Sequence, residues 1–227
     1  RSNQSIGISL TGGLDTRIIM ANAKLPAGKY CCYTFGGMYR DCTDVVVGRK
    51  VAATCQQEHT TLPLDHLFLN NFSLWAEKTA YITDGYLDMS MSPEIYLNKM
   101  AREIAPVRIT GNYGGEVLRD ISGKLKATTP TSDLFSQDFN KHLQAAFNTV
   151  ADINRHVNNT FSFNLFTEIP WLRNRVFVSE QSQLTPRTPY MDNDLVALMY
   201  RAPLDARNNR ELSLRLIADG KNSLSSI

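Results

Sequence analysis

Residues 5–10 (SIGISL) form a short apolar run that stops at Thr11-Gly12-Gly13, and from Leu14 to Ala23 the positions Leu14, Ile18, Ile19 and Ala23 recur at helical spacing. Strand, glycine turn and helix then repeat. Residues 30–35 read as a second strand, 43–55 as a helix carrying Val46, Val47, Val51 and Ala52, and 59–64 as a third strand. A β-α-β-α-β order over about sixty residues is the pattern of a parallel sheet with right-handed crossovers. The expected fold is therefore α/β with a doubly wound parallel sheet.

Further along, residues 65–80 read as one helix with Leu67, Phe68, Phe72, Leu74 and Trp75 apolar, and residues 93–103 as another that starts at Pro93. Residues 107–110 form a short strand that runs into Gly111-Asn112-Tyr113-Gly114-Gly115-Glu116, a second glycine-rich loop at a strand end. Open α/β sheets bind ligands outside the carboxyl ends of their strands, so the two loops are expected to face one crevice. Residues 123–133 (GKLKATTPTSD) read as an exposed loop, and helices follow near 136–150, 163–181 with a break or kink at Pro170, 192–200 and 210–218. One domain over 1–227 is expected, with its core in 5–120 and a mainly helical part in 121–227. The start at Arg1 and the end at SLSSI read as a domain taken from a longer protein.

With 24 Lys+Arg against 22 Asp+Glu, a formal charge of +2 gives no electrostatic ground for a nucleic-acid or membrane-surface partner. No stretch approaches the roughly 20 apolar residues of a membrane span, and the first residues lack the pattern of a signal peptide. Cys31, Cys32, Cys42 and Cys55 have no CxxC or zinc-finger spacing, so they read as reduced thiols of a cytoplasmic protein.

The chemistry is concentrated in Ser9-Leu10-Thr11-Gly12-Gly13-Leu14-Asp15-Thr16-Arg17. A strand–glycine–helix turn points backbone N–H groups and the positive end of a helix dipole at an anion. Thr11 and Thr16 can donate to phosphate oxygens, and Asp15 can hold a divalent cation. The spacing is neither the Walker loop nor the dinucleotide fingerprint. The alternative is a plain Gly-Gly turn with Thr16 capping the helix.

The motif S-x-T-G-G-L-D-T resembles the S-G-G-x-D-S pyrophosphate loop of the N-type ATP pyrophosphatases. Companion segments narrow the likeness to the synthetase domain of asparagine synthetase-like proteins. Tyr33-Thr34-Phe35-Gly36 lies where that family's second strand meets adenine, and the stretch from Asp44 through Ala52 to His59 resembles its acidic helix start, small-residue face and following His. Residues 109–118 resemble the S-G-E-G-x-D-E-V/L-F loop, and 187–196 resemble R-x-P-F-L-D-x-x-L-V. The resemblance spans nearly the whole chain.

It implies an adenine-nucleotide alpha-hydrolase-like fold with ATP phosphates bound by Thr11, Gly12, Gly13, Leu14, Asp15 and Thr16, Mg2+ held partly by Asp15, and adenine near Leu10, Phe35 and Gly111, with Asn112 also in the nucleotide site. It also implies attack of a small-molecule or peptide carboxylate on the α-phosphate, giving an acyl-adenylate and pyrophosphate. An amine, often ammonia from a glutaminase domain, then forms the amide. The chain departs from the family pattern at Asn112, where relatives carry an acidic residue, and at Gly115, where they carry a metal-binding Asp. Glu116 keeps an acidic position, and Arg17 brings a fixed positive charge toward the phosphates. Asp15, Glu116 and Arg17 are thus the candidate catalytic residues. The departures leave two readings open: an amide ligase with a different acceptor, or a catalytically degenerate nucleotide-binding module of a larger biosynthetic protein. A tRNA-modifying thiolase of the same superfamily is disfavoured by the missing CxxC and the small charge.

His59, His66, His142 and His156 are too scattered along the sequence to suggest a metal site. Arg40 and Asp41 read either as substrate contacts or as an exposed turn. Arg187, Asp192 and Asp194 read as structural, with an Asp capping a helix, and the resemblance, whose members contact phosphate with basic residues near the domain's end, makes Arg210 and Arg215 candidates for that contact.

Overall fold

The structure, a computed structural model, describes residues 4–120, 134–156, 159–207 and 209–227. The loop expected at 123–133 lies outside the described residues. The elements run β1 (Ile6–Ser9), α1 (Leu14–Asn22), β2 (Cys31–Gly36), α2 (Thr43–Thr54), β3 (Glu58–Pro63), α3 (His66–Asn70), α4 (Phe72–Ile82), α5 (Ser92–Ile104) and β4 (Val107–Ile109). They continue with α6 (Gly114–Leu118), α7 (Gln137–His156), α8 (Thr160–Phe163), α9 (Asn174–Gln181), β5 (Thr185–Arg187), α10 (Asn193–Arg201), α11 (Leu204–Arg207) and α12 (Glu211–Lys221).

The five strands form one sheet in the order β3-β2-β1-β4-β5, parallel throughout. The fold is α/β. Successive strands step outward from β1 to β3, and β4 then returns to pair with the other edge of β1, so the order switches between β1 and β4.

Strand alternation divides the core between the two faces. Ile8 stands opposite Cys32 in the ladder, and both pack with Leu10, Ile18, Val51, Ala52 and, from the C-terminal end, Ile217 and Leu224. Tyr33, one residue out of phase with Cys32, faces the other way and packs with Leu62, Phe68, Trp75, Ile95 and Leu97. Strands covered on both faces read as apolar runs, which is why β1 and β2 stand out in the sequence. Helix α12 lies tightly on α1: a Cβ at Gly220 would come within 2.9 Å of the Ala21 carbonyl oxygen.

Three of the differences from expectation have a clear local cause. The single helix expected over 65–80 is two, broken at Asn71, whose φ of −116° is non-helical and whose amide donates back to the Leu67 carbonyl at 2.9 Å. A side-chain amide that competes for backbone partners favours such a break. The break expected at Pro170 is a stretch of wider, π-type turns over Asn164–Arg173, a geometry that accommodates a residue lacking the N–H and crowding the preceding turn. Strand β5, at Thr185-Pro186-Arg187, was not expected; three residues with a central Pro carry no strand signal and suit only a sheet edge.

Candidate functional site

At the switch point the β1–α1 loop and the β4–α6 loop border a cleft of about 250 Å³. Six of the expected residues line it: Thr11, Gly13, Asp15 and Thr16 from the first loop, Gly111 and Asn112 from the second. Ser9, Arg108, Thr110 and Tyr113 complete the lining.

The first loop is held open by its own residues. Gly13 is the N-terminal cap of α1 and has no side chain to accept from the helix, so the first-turn amides carry no side-chain cap. The cap is thus Gly13 and not Thr16, whose hydroxyl lies 3.4 Å from both the Thr11 hydroxyl and the Thr11 carbonyl. Gly12 gives its N–H to Asp44 Oδ1 at 2.8 Å, fixing the loop against the first turn of α2. The loops touch closely: a Cβ at Gly111 would fall 2.9 Å from the Thr16 nitrogen.

The remaining candidates stand behind this surface. Leu10 is fully buried, and its N–H extends the ladder to the Tyr33 carbonyl at 2.8 Å. Leu14 begins α1 and packs against the core. Arg17 is 7% exposed and donates to the Gly12 carbonyl at 3.2 Å, bracing the loop from beneath; burial lowers its pKa from the usual arginine value. Phe35 does not line the cleft, and its ring is covered by the Arg108 guanidinium at 5.0 Å from the ring centre. Glu116 turns away to Arg173 at 3.5 Å, and burial raises its carboxyl above the ordinary range against the pull of that cation.

Asp15 is the most engaged residue of the site. Its two oxygens accept from Arg119 Nη1 at 2.6 Å and Nη2 at 2.9 Å, a bidentate pair. Arg119 also donates to Ser213 of α12 at 2.9 Å. Tyr113, at φ +71°, turns the chain so that Gly114 sits directly on Asp15, where a Cβ would lie 2.5 Å from the carboxyl carbon.

Across the cleft, Arg108 of β4 is buried at 7% exposure. It donates to Asn98 Oδ1 at 2.7 Å and to Ser9 Oγ at 3.0 Å, while its Nε has no partner among the described residues. Glu180 of α9 lies 3.6 Å from it and accepts from Asn112 Nδ2 at 3.1 Å, and its Oε2 has no partner among the described residues. The late segment ties both loops together. The Arg187 carbonyl accepts from Thr110 N at 2.9 Å, Thr188 Oγ1 donates to the Asn112 carbonyl at 2.7 Å, and Tyr190 OH donates to the Asp15 carbonyl at 2.6 Å.

Arg108, Arg119, Glu180 and Tyr190 are not evident as site residues from the sequence, since an isolated charge or aromatic in a strand or helix carries no local signal. Asp41 pairs with Arg49 at 3.0 Å on the surface, as an exposed turn does, and Asp192 Oδ1 caps α10 by accepting from Asp194 N at 3.0 Å and Leu195 N at 3.2 Å. Arg215 faces Asp219 at 3.6 Å in solvent, and neither it nor Arg210 lines the cleft. Among the described residues no group of three or more His, Cys, Asp or Glu could hold a metal ion, and no helix is long and apolar enough to cross a membrane. No protein-family model matches the sequence, and a search of curated proteins finds no match.

Proposed function

We propose that the cleft binds ATP as a substrate and that the chain, acting in the cytoplasm, adenylates a small-molecule or peptide carboxylate and passes the acyl group to an amine, in the manner of asparagine synthetase-like ligases. The sheet order supports assigning the fold to the doubly wound, adenine-nucleotide alpha-hydrolase-like kind. The observation that carries the reading is the uncapped amide end of α1 at the cleft, flanked by the Thr11 and Thr16 hydroxyls and faced by a buried arginine. Backbone N–H groups at a helix start are what phosphate oxygens bind, and a guanidinium beside them suits the carboxylate that is to be activated.

In this reading the acceptor carboxylate lies against Arg108, whose five N–H donors make two hydrogen bonds among the described residues. One carboxylate oxygen attacks the α-phosphorus and pyrophosphate departs. The amine nitrogen then attacks the acyl carbon, AMP leaves with the C–O bonding pair, and the amine gives up a proton. The protein's part is positioning and charge stabilisation. Thr11, Thr16 and the α1 amides hold the departing phosphates, and Arg108 orients the acceptor. Ammonia is the proposed amine, supplied by a glutaminase domain of the longer protein.

Magnesium is proposed as the ion that accompanies the nucleotide, since Mg2+ is commonly held by substrate phosphates and only one or two carboxylates. The residues present do not fit a metal held by the protein. Asp15 has both oxygens on Arg119, and Gly115 offers no ligand. No step above runs through the ion.

A second reading, a nucleotide-binding module without ligase activity, is favoured by Asn112, which brings an amide where an acid–base group would stand and ties it to the buried Glu180. Exchange of labelled pyrophosphate into ATP, driven by carboxylic acids of graded size and charge, separates the two. Acceptor-dependent exchange supports adenylation; ATP binding with neither exchange nor AMP release across the set selects the module.

A further inference from the structure

We propose that Arg119 takes the place of a metal ion at Asp15, so that this chain binds the phosphates of ATP with no metal ion held by the protein. The inference rests on the nucleotide-binding reading above and concerns how that site is charged.

A carboxylate in the first turn of the helix that opens on the cleft is the natural ligand for a divalent ion riding on a nucleotide. Here both of its oxygens are taken by one guanidinium, at 2.6 and 2.9 Å. A bidentate Arg–carboxylate pair combines full charge neutralisation with fixed geometry, and this one is well shielded, with the Arg119 side chain at 10% and the Asp15 side chain at 22% exposure. The guanidinium is anchored from a second side by Ser213 Oγ at 2.9 Å. The carboxylate cannot easily swing aside. Gly114 is packed against it so closely that a Cβ there would lie 2.5 Å from its carboxyl carbon, and Tyr190 pins the Asp15 carbonyl at 2.6 Å.

No second ligand stands ready. Gly115 has no side chain, Glu116 is directed at Arg173, and among the described residues no metal-holding cluster occurs. Freed of Arg119, Asp15 would present an uncompensated negative charge where phosphate is to bind, and that charge would need a cation. Arg119 meets the need with a cation that is part of the chain.

Calorimetric titration with ATP, once in excess chelator and once with magnesium, tests this. The wild-type protein is expected to bind with dissociation constants equal within about twofold in the two conditions. Binding weakened about tenfold or more by the chelator overturns the inference while leaving the nucleotide-binding reading intact. Arg119→Gln is expected to lose about tenfold or more in affinity in chelator and to regain it with magnesium; a variant indifferent to the ion also overturns the inference. Asp15→Asn combined with Arg119→Gln, which leaves no unpaired charge and so guards against a single variant that fails to fold, is expected to bind ATP independently of magnesium. A folded wild-type protein that binds no ATP in either condition removes the nucleotide reading, and this inference with it.

Discussion

Asp15 is the residue on which the site converges, since α1 supplies it, Arg119, itself anchored by Ser213, holds its carboxylate, and Tyr190 holds its carbonyl. Tyr190 is 3% exposed, and Tyr190→Phe removes one donor without opening a cavity. A cost of about 1 kcal/mol is expected in chemical denaturation, together with weaker ATP binding as the first turn of α1 loosens. The glycines make a sharper contrast. Gly111→Ala would push a Cβ to 2.9 Å from the Thr16 nitrogen, and forcing backbone apart in this way should cost about 1–3 kcal/mol and abolish ATP binding. At Gly13, with φ −70°, a Cβ would meet only Thr11 Oγ1 at 3.2 Å, so Gly13→Ala should fold normally and act on ligand binding alone. At this scale the sequence discloses what local spacing encodes. Thr11, Gly13, Asp15 and Thr16 are legible because glycine, hydroxyl and acid fall together between a strand and a helix. Arg108, Arg119 and Glu180 are not, because each becomes a site residue only when the sheet closes.

Elements were legible where strand runs or helical spacing stood clear of glycine and proline turns. Strands β1 and β2 are largely buried, and α1, α2, α5 and α10 start and stop within a residue or two of their expected limits. The misses come from side chains that redirect the backbone, as Asn71 does between α3 and α4, and from the Pro-centred edge strand β5. Two predictions belong here. Asp192 Oδ1 accepts from two first-turn amides of α10, so Asp192→Ala should cost about 1 kcal/mol, read as a shift of the denaturation midpoint. His59 of β3 lies 2.9 Å from Thr34 Oγ1 of β2, and burial, aided by Arg49 and opposed by Asp41, lowers its pKa from 6.5. A histidine whose folded pKa is depressed favours the neutral ring, so the folded state should have its full contribution above pH 6.5 and lose stability as pH falls through the folded pKa. Thermal melts from pH 7.5 to about 5 should show that slope, and His59→Gln should flatten it.

In the whole molecule, the sheet order gathers in one cleft two loops from distant parts of the sequence, and the C-terminal elements lock them there through Ser213, Thr188 and Tyr190. A parallel α/β sheet with a crevice at its strand-order switch was legible from the β-α-β-α-β pattern, because right-handed crossovers leave few arrangements for such a chain. The closure by late residues was not, since nothing in Arg187-Thr188-Pro189-Tyr190 alone points to partners so far upstream. The proposed binding of ATP in this cleft is tested by following backbone amide resonances of the labelled protein during titration with ATP. The largest shifts are expected at Gly12–Thr16 and at Thr110–Tyr113, with saturation, while the surface hollow around Tyr86 and Trp171 stays unchanged. A folded protein whose amides at those two loops do not move, or move only elsewhere, would show that ATP does not bind in this cleft.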